Sequence, residues 1–172
     1  MQIKAVAMDK TFEKEFNVAS VKSPSEFKCL VNYLELIYPN QDKSSLRANA
    51  SMASYDQTYL LKKNNEIVGS IWVIKLPFTD FNVGGIGGVT IMEKYRARGL
   101  GKLLVEHAIQ SNPNFDAFLL WTRVPEFFKA IGFHPFEEGI EREINDSTPM
   151  LYSNIQGLLD RPTVTKWPRI KF

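Results

Sequence analysis

The chain has 172 residues, 44% hydrophobic and 23% charged, which is the length and make-up of one soluble globular domain. Its 21 basic and 19 acidic residues leave a net charge of +2, too balanced for nucleic acid or a membrane surface to be expected as a partner. The single cysteine, Cys29, excludes an intramolecular disulfide and reads as an inert helix thiol; with no apolar run of signal-peptide length and none of the ~20 residues that span a bilayer, a cytoplasmic setting is expected.

In chain order, Phe16 to Val21 alternates well enough for a short strand. Ser23-Pro24-Ser25-Glu26 predicts a helix start, with Ser23 as cap, Pro24 at the first helical position and Glu26 closing a capping box. Phe27, Leu30, Val31, Leu34, Ile37 and Tyr38 then form one apolar face, which Pro39-Asn40 ends. A second helix is expected over residues 43–54, with Leu46, Ala50 and Ala53 inward. Residues 59–61 and 67–74 read as strands joined at Asn64-Asn65, a pair that accepts the positive φ of a tight hairpin.

A glycine-rich strand follows over 83–92, then a helix over 99–111 with Leu100, Leu103, Leu104 and Ala108 on one face. Residues 115–121 predict a strand, 125–131 a short helix, and the chain from Phe133 onward is mostly extended. This order gives an α/β (α+β) fold, a mixed sheet with helices on its faces. One domain is expected over 1–155, with 1–14 as an extension or strand and 156–172 as a tail packed on the same domain.

The informative stretch runs from Gly88 to Lys102, out of a buried strand, through a basic glycine turn and into an amphipathic helix. Such a turn is an anion cradle. Gly99 and Gly101 let backbone N–H groups approach a phosphate, the first helical turn leaves N–H groups unpaired, and Arg96, Arg98 and Lys102 add full charges. A diphosphate is the natural occupant. A Walker loop is excluded, since Arg96 stands where its first glycine belongs and Leu103 replaces its Ser or Thr. The dinucleotide pattern also fails, because Gly99-x-Gly101 is followed by Leu104 and Gly85-x-Gly87 by Thr90.

Arg96-Ala97-Arg98-Gly99-Leu100-Gly101 resembles the pyrophosphate signature of the GNAT N-acetyltransferase superfamily, Gln/Arg-x-x-Gly-x-Gly/Ala. Val89-Thr90-Ile91 resembles the strand whose backbone pairs with pantetheine in that family, with Glu93 where a proline is common. Phe127-Phe128-Lys129-Ala130-Ile131-Gly132-Phe133 resembles the family's Phe/Leu-Tyr-x-x-x-Gly-Phe segment, and the likeness covers about Phe16 to Phe136. It implies a central mixed sheet of six or seven strands flanked by about four helices, splayed at an acyl-CoA site. It also implies direct acetyl transfer from acetyl-CoA to an amine, on a small molecule or a peptide, in a protein that can form a homodimer. The cofactor-binding residues would be Val89, Thr90, Ile91, Arg96, Ala97, Arg98, Gly99, Leu100, Gly101, Lys102 and Phe128.

Phe128 departs from the family, whose tyrosine here is often the general acid, because phenylalanine has no proton to give. The catalytic residues therefore stay unassigned. His134 and Tyr152 are candidate proton carriers, Asp80 or a water chain a candidate base, and His107 reads as a packing or surface residue. Gly84, Gly85, Gly87 and Gly88 suggest either a strand bulge or a flexible loop before a shorter strand, and Trp72, Phe78 and Phe81 either an acceptor pocket or core. No metal site is indicated. Two rivals stay open: a non-catalytic acyl-CoA-binding module, and an unrelated nucleotide binder using Gly99–Gly101.

Overall fold

The computed structural model describes residues 15–51, 53–54, 57–77, 81–135 and 147–153. The expected extension over 1–14, the tail over 156–172, Phe78, Asp80 and the extended run from Phe136 lie outside the described residues.

Strand β1 (Phe16–Ser20) leads into helix α1 (Pro24–Ile37). The Ser23 hydroxyl accepts from the Glu26 amide at 3.2 Å, as a cap should. Glu26 reaches back one residue further than a capping box predicts, accepting from the Lys22 amide at 2.7 Å while also meeting Lys62 Nζ at 2.7 Å. Helix α2 (Lys43–Ala50) starts on Asp42, which accepts from the Ser45 amide. It ends earlier than expected, at a turn where the Ser51 hydroxyl donates to the Ala48 carbonyl at 2.8 Å. Ala53 is buried as expected, but beyond the helix.

Strands β2 (Thr58–Lys63) and β3 (Glu66–Leu76) form the expected hairpin, with Asn64 and Asn65 at φ 49° and 67°. Strand β4 (Val83–Ile91) is antiparallel to β3, and a short 3-10 turn (Glu93–Tyr95) follows it. Helix α3 (Leu100–Gln110) crosses over to β5 (Ala117–Thr122), which lies parallel to β4. Helix α4 (Pro125–Lys129), β6 (His134–Pro135) and β7 (Thr148–Ser153) complete a seven-stranded mixed sheet of order β1-β2-β3-β4-β5-β7-β6 among the described residues. The expected architecture is therefore observed, with four helices on the sheet.

Two apolar clusters define the layers. One packs Leu100, Leu104, Val105 and Ala108 of α3, with Phe128 of α4, against Val73, Ile86 and Phe118. The other packs Leu30, Tyr33 and Leu34 of α1, with Ala50 of α2, against Leu60, Trp72 and Leu119. Because the two clusters draw alternate residues from the same strands, α1 and α2 cover one face of the sheet and α3 and α4 the other.

The β3–β4 ladder is irregular near its middle. Ser70 pairs with Thr90 and Trp72 with Gly87, so Ile71 alone stands opposite both Gly88 and Val89. That is a β-bulge, and it increases local twist and re-aims the strand. Gly88 sits at φ 59°, and a Cβ there would fall 1.8 Å from Cζ3 of Trp72. Beyond it the sheet opens: β4 and β5 pair only at Val83–Ala117, Gly84–Phe118 and Gly85–Leu119.

Gly88→Ala should therefore cost about 2–5 kcal/mol in denaturant unfolding, combining left-handed strain of about 1–2 kcal/mol with overpacking of about 1–3 kcal/mol. Gly99 also has positive φ, but nothing lies within 4 Å of its missing Cβ. Gly99→Ala should cost only the backbone strain, about 1–2 kcal/mol. Equal losses would show that Trp72 does not constrain the bulge.

Candidate functional site

The parting of β4 from β5 creates a cavity of about 790 Å³. One wall is β4 from Ile86 to Ile91, and the other is β5 and its continuation from Leu120 to Val124. The floor is the loop and first turn of α3 (Tyr95, Arg96, Ala97, Gly99 to Lys102), closed by Phe127 and Phe128 of α4. The structure thus brings together Val89, Thr90, Ile91, Arg96, Ala97, Gly99, Leu100, Gly101, Lys102 and Phe128. Arg98 is not in this lining; its guanidinium lies 5.8 Å over the Tyr95 ring.

The backbone of the floor is shaped for an anion. Ala97 and Gly99 both have positive φ, at 59° and 78°, in a turn that leads straight into α3. Leu103 N–H is the first to bond back, to Gly99 O at 3.0 Å, so the amides of Leu100, Gly101 and Lys102 precede the helical ladder. No side chain caps this end. Arg96, Lys102 and Arg123 line the cavity, and no carboxylate does among the described residues. Unpaired amides, the positive end of a helix and three cations give this floor an affinity for phosphate. Leu100 is 1% exposed, so it can offer only its backbone.

The strand wall has a similar offer to make. Met92 N–H donates to Val68 O on β3 at 2.8 Å. Successive peptide units of a strand face opposite ways, so Ile91 turns its N–H and C=O toward the opening instead. Its carbonyl accepts from Arg96 Nε at 3.0 Å, which also fixes that arginine at the rim.

Behind this wall, three hydroxyls tie α1 to the bulge. Thr90 Oγ1 lies 3.1 Å from the Tyr33 hydroxyl and 2.7 Å from Ser70 Oγ, and Ser70 donates to the Gly88 carbonyl at 3.0 Å. Thr90 and Ser70 are buried, so the Thr90 side chain serves this network rather than a ligand. Tyr33 was not legible as more than a helix residue; no sequence signal marks its bond to Thr90. Burial pushes its phenol up to about 12.

A second cavity of about 290 Å³ adjoins the first. It lies between the end of α1 (Leu34, Tyr38, Gln41), α2 (Leu46, Asn49) and the sheet residues Trp72 and Trp121. Tyr38, Ile86, Gly87, Gly88, Trp121 and Ser147 belong to both cavities, so the two meet at the bulge. Tyr38 is the cap residue that ends α1; helical periodicity alone assigns it to the core face, and its place at this junction depends on where the helix stops.

The other residues singled out in the sequence lie elsewhere. Tyr152 is buried against Phe118 and Phe133, its phenol raised by burial, and it lines neither cavity. His134 is exposed on β6, and His107 packs edge-on to Tyr59, with burial lowering its pKa. Trp72 faces the second cavity, whereas Phe81 packs on the core beside α1 and α2. Phe128 is 5% exposed and edge-on to Phe127 and Phe133. No group of three metal-ligating side chains occurs among the described residues, and no helix among them is long and apolar enough to cross a membrane.

A mixed sheet that parts beside an uncapped, cation-flanked helix start has the shape and charge to take a phosphate-bearing ligand edge-on to a strand. The comparison with known families gives this arrangement its particular form: a model of the Acetyltransferase (GNAT) family matches residues 27–135, and the chain belongs to that family. Solved structures share the fold at low identity. A GNAT-family acetyltransferase from Streptococcus pneumoniae superposes with a TM-score of 0.63 at 20% identity, covering 81% of this chain and 99% of that one. The GNAT family N-acetyltransferase YhbS from Escherichia coli, in complex with CoA, gives 0.67 at 12% identity and 85% of each chain. A chain of the NatC complex bound to Gag peptide and CoA gives 0.65 at 19% identity, covering 81% of this chain and 98% of that one. No curated protein sequence matches the chain.

The Tyr33 network yields a test by pH. In the unfolded chain this phenol ionises near its ordinary 10, and in the fold only at about 12. The unfolded state therefore loses its proton first, so the contribution to stability is complete below pH 10 and is lost as pH rises from 10 to 12. Tyr33→Phe should lower the urea midpoint modestly at pH 8, by about 1 kcal/mol for the lost hydrogen bond. It should also flatten the alkaline fall relative to the wild type. An unchanged slope in the variant would show that Tyr33 ionises freely in the fold.

Proposed function

We propose that the first cavity holds acetyl-CoA and that the protein transfers its acetyl group directly to the amine of a small molecule or peptide. Acetyl-CoA is the co-substrate. The observation that supports this most is the loss of β4–β5 pairing after Gly85 directly above the unpaired amides of Leu100, Gly101 and Lys102. The diphosphate sits on those amides with Arg96 and Lys102, and the pantetheine arm runs up the open edge of β4 as an added strand against Val89 and Ile91. The thioester then reaches the junction at the bulge.

There the amine nitrogen attacks the thioester carbonyl, the C–S bond breaks and CoA leaves as thiolate. A backbone N–H of β4 that faces the opening is the donor we assign to the developing oxyanion. Holding both reactants at one junction provides much of the rate. No carboxylate or imidazole lines either cavity among the described residues, so the attacking amine gives its proton to water. The thiolate takes one from water as well, since Phe128 has none; a thiol with pKa near ~8.5 is a good enough leaving group at neutral pH. Those same two features support a second reading, a domain of this family that binds acetyl-CoA and transfers slowly or not at all. Thiol release with a panel of amines separates the two.

Calorimetry tests the cofactor site. Lys102 is half-exposed and its ammonium lies 3.8 Å from Glu106, a contact too long and open to hold the helix together. Lys102→Glu should leave the fold intact and weaken acetyl-CoA binding at least ~tenfold, about 1.4 kcal/mol, with affinity in the wild type falling as salt rises. Unchanged affinity in the variant would remove the diphosphate from this site.

A further inference from the structure

The second cavity lies beyond the place proposed for the cofactor, and its chemistry narrows the acceptor. We propose that it seats a small primary monoamine carried on an uncharged aromatic body; this rests on the acetyl-transfer reading above and specifies its substrate.

Charge makes the first selection. None of the described residues lining this cavity is acidic or basic. A second ammonium, as on a polyamine, would enter without a carboxylate to meet it. A carboxylate, as on an amino acid, would enter without an arginine or lysine. Either desolvation goes uncompensated, and an unpaired charge in such a place costs several kcal/mol. A ligand whose only charge is the reacting ammonium avoids that cost, because this nitrogen sits at the mouth shared with the first cavity and must become neutral to react.

Surface type makes the second selection. Trp72 and Trp121, with the Tyr38 ring between the two cavities, give the lining aromatic faces, and Leu34 and Leu46 close it with aliphatic side chains. Aromatic bodies bury well on such walls, and indole faces also attract an ammonium passing over them. Gln41 and Asn49 are exposed at the rim, and neither side-chain amide bonds to another described residue. They can meet an uncharged hydroxyl or amide at the far end of the ligand, but not neutralise an ion. At about 290 Å³ the cavity stands at the small end of ligand pockets, which suits one ring system on a short chain.

The test is a rate and binding comparison on the full chain. Thiol release at saturating acetyl-CoA is measured with 2-phenylethylamine and tryptamine, against spermidine, glutamate and a tripeptide beginning with phenylalanine. The arylalkylamines should give kcat/KM at least ~tenfold above every comparator. Indole fluorescence should respond to 2-phenylethylamine with and without acetyl-CoA, and not to spermidine. Gln41→Glu and Asn49→Asp place a carboxylate at the rim; each should raise kcat/KM for spermidine several-fold, at unchanged acetyl-CoA affinity by calorimetry. Faster acetylation of spermidine or glutamate by the wild type would overturn the acceptor class while leaving acetyl transfer standing. A preference for the tripeptide over 2-phenylethylamine would overturn it in favour of peptide N-termini. Failure to bind acetyl-CoA at all would instead overturn the reading on which this one rests.

Discussion

Everything at the site depends on two strands that stop pairing. After three pairs of neighbours β4 and β5 diverge, and the polar edge of β4 that a sheet would satisfy is left for something else. An unpaired edge buried in a protein is costly unless a partner is supplied. The bulge at Gly88 and Val89 is what turns β4 aside, and it is held from the α1 and α2 face. Trp72 fills the space where a side chain at position 88 would stand, and the Tyr33–Thr90–Ser70 hydroxyls anchor the Gly88 carbonyl from the α1 side. The opening is therefore built into the packing, with no lid needed to form it.

The same divergence explains why the cavity has two ends of different character. Toward α3 it runs onto amides that no helix bond uses, with Arg96, Lys102 and Arg123 around them. Toward α1 and α2 it runs onto indole, phenol and carboxamide groups with no formal charge among the described residues. A ligand with a phosphate at one end and a reactive group at the other can bridge the strand gap and present that group to whatever lies in the second cavity. The α3 crossover is what brings β5 alongside β4 in parallel, so both walls of the gap follow from one connection.

Much of this was legible from residues alone. The Asn64-Asn65 turn, the Ser23 cap and the basic glycine turn before α3 each follow from local chemistry, and the structure has all three. The four glycines of β4 pointed to a bulge, but only the register shows that Gly88 and Val89 form it, since pairing is a tertiary fact. The end of α2 is not legible in this way: Ala53 continues the apolar pattern, yet the helix stops where the Ser51 hydroxyl takes the Ala48 carbonyl. Arg98 and Tyr152 have suitable chemistry but line neither cavity; Arg98 lies over the Tyr95 ring and Tyr152 packs on Phe133. Tyr38 and Trp121 carry no local signature of function; they reach the junction because a helix stops at Ile37 and a strand diverges after Leu119.

The central claim is that the open edge of β4 and the start of α3 bind acetyl-CoA together. Amide hydrogen exchange followed residue by residue, with and without saturating acetyl-CoA, tests it most directly. The account predicts slowed exchange at Val89 and Ile91 and at Leu100, Gly101 and Lys102, with little change in β1 and β2. Binding that leaves those five amides at their free rates, or protects a different surface, would contradict it.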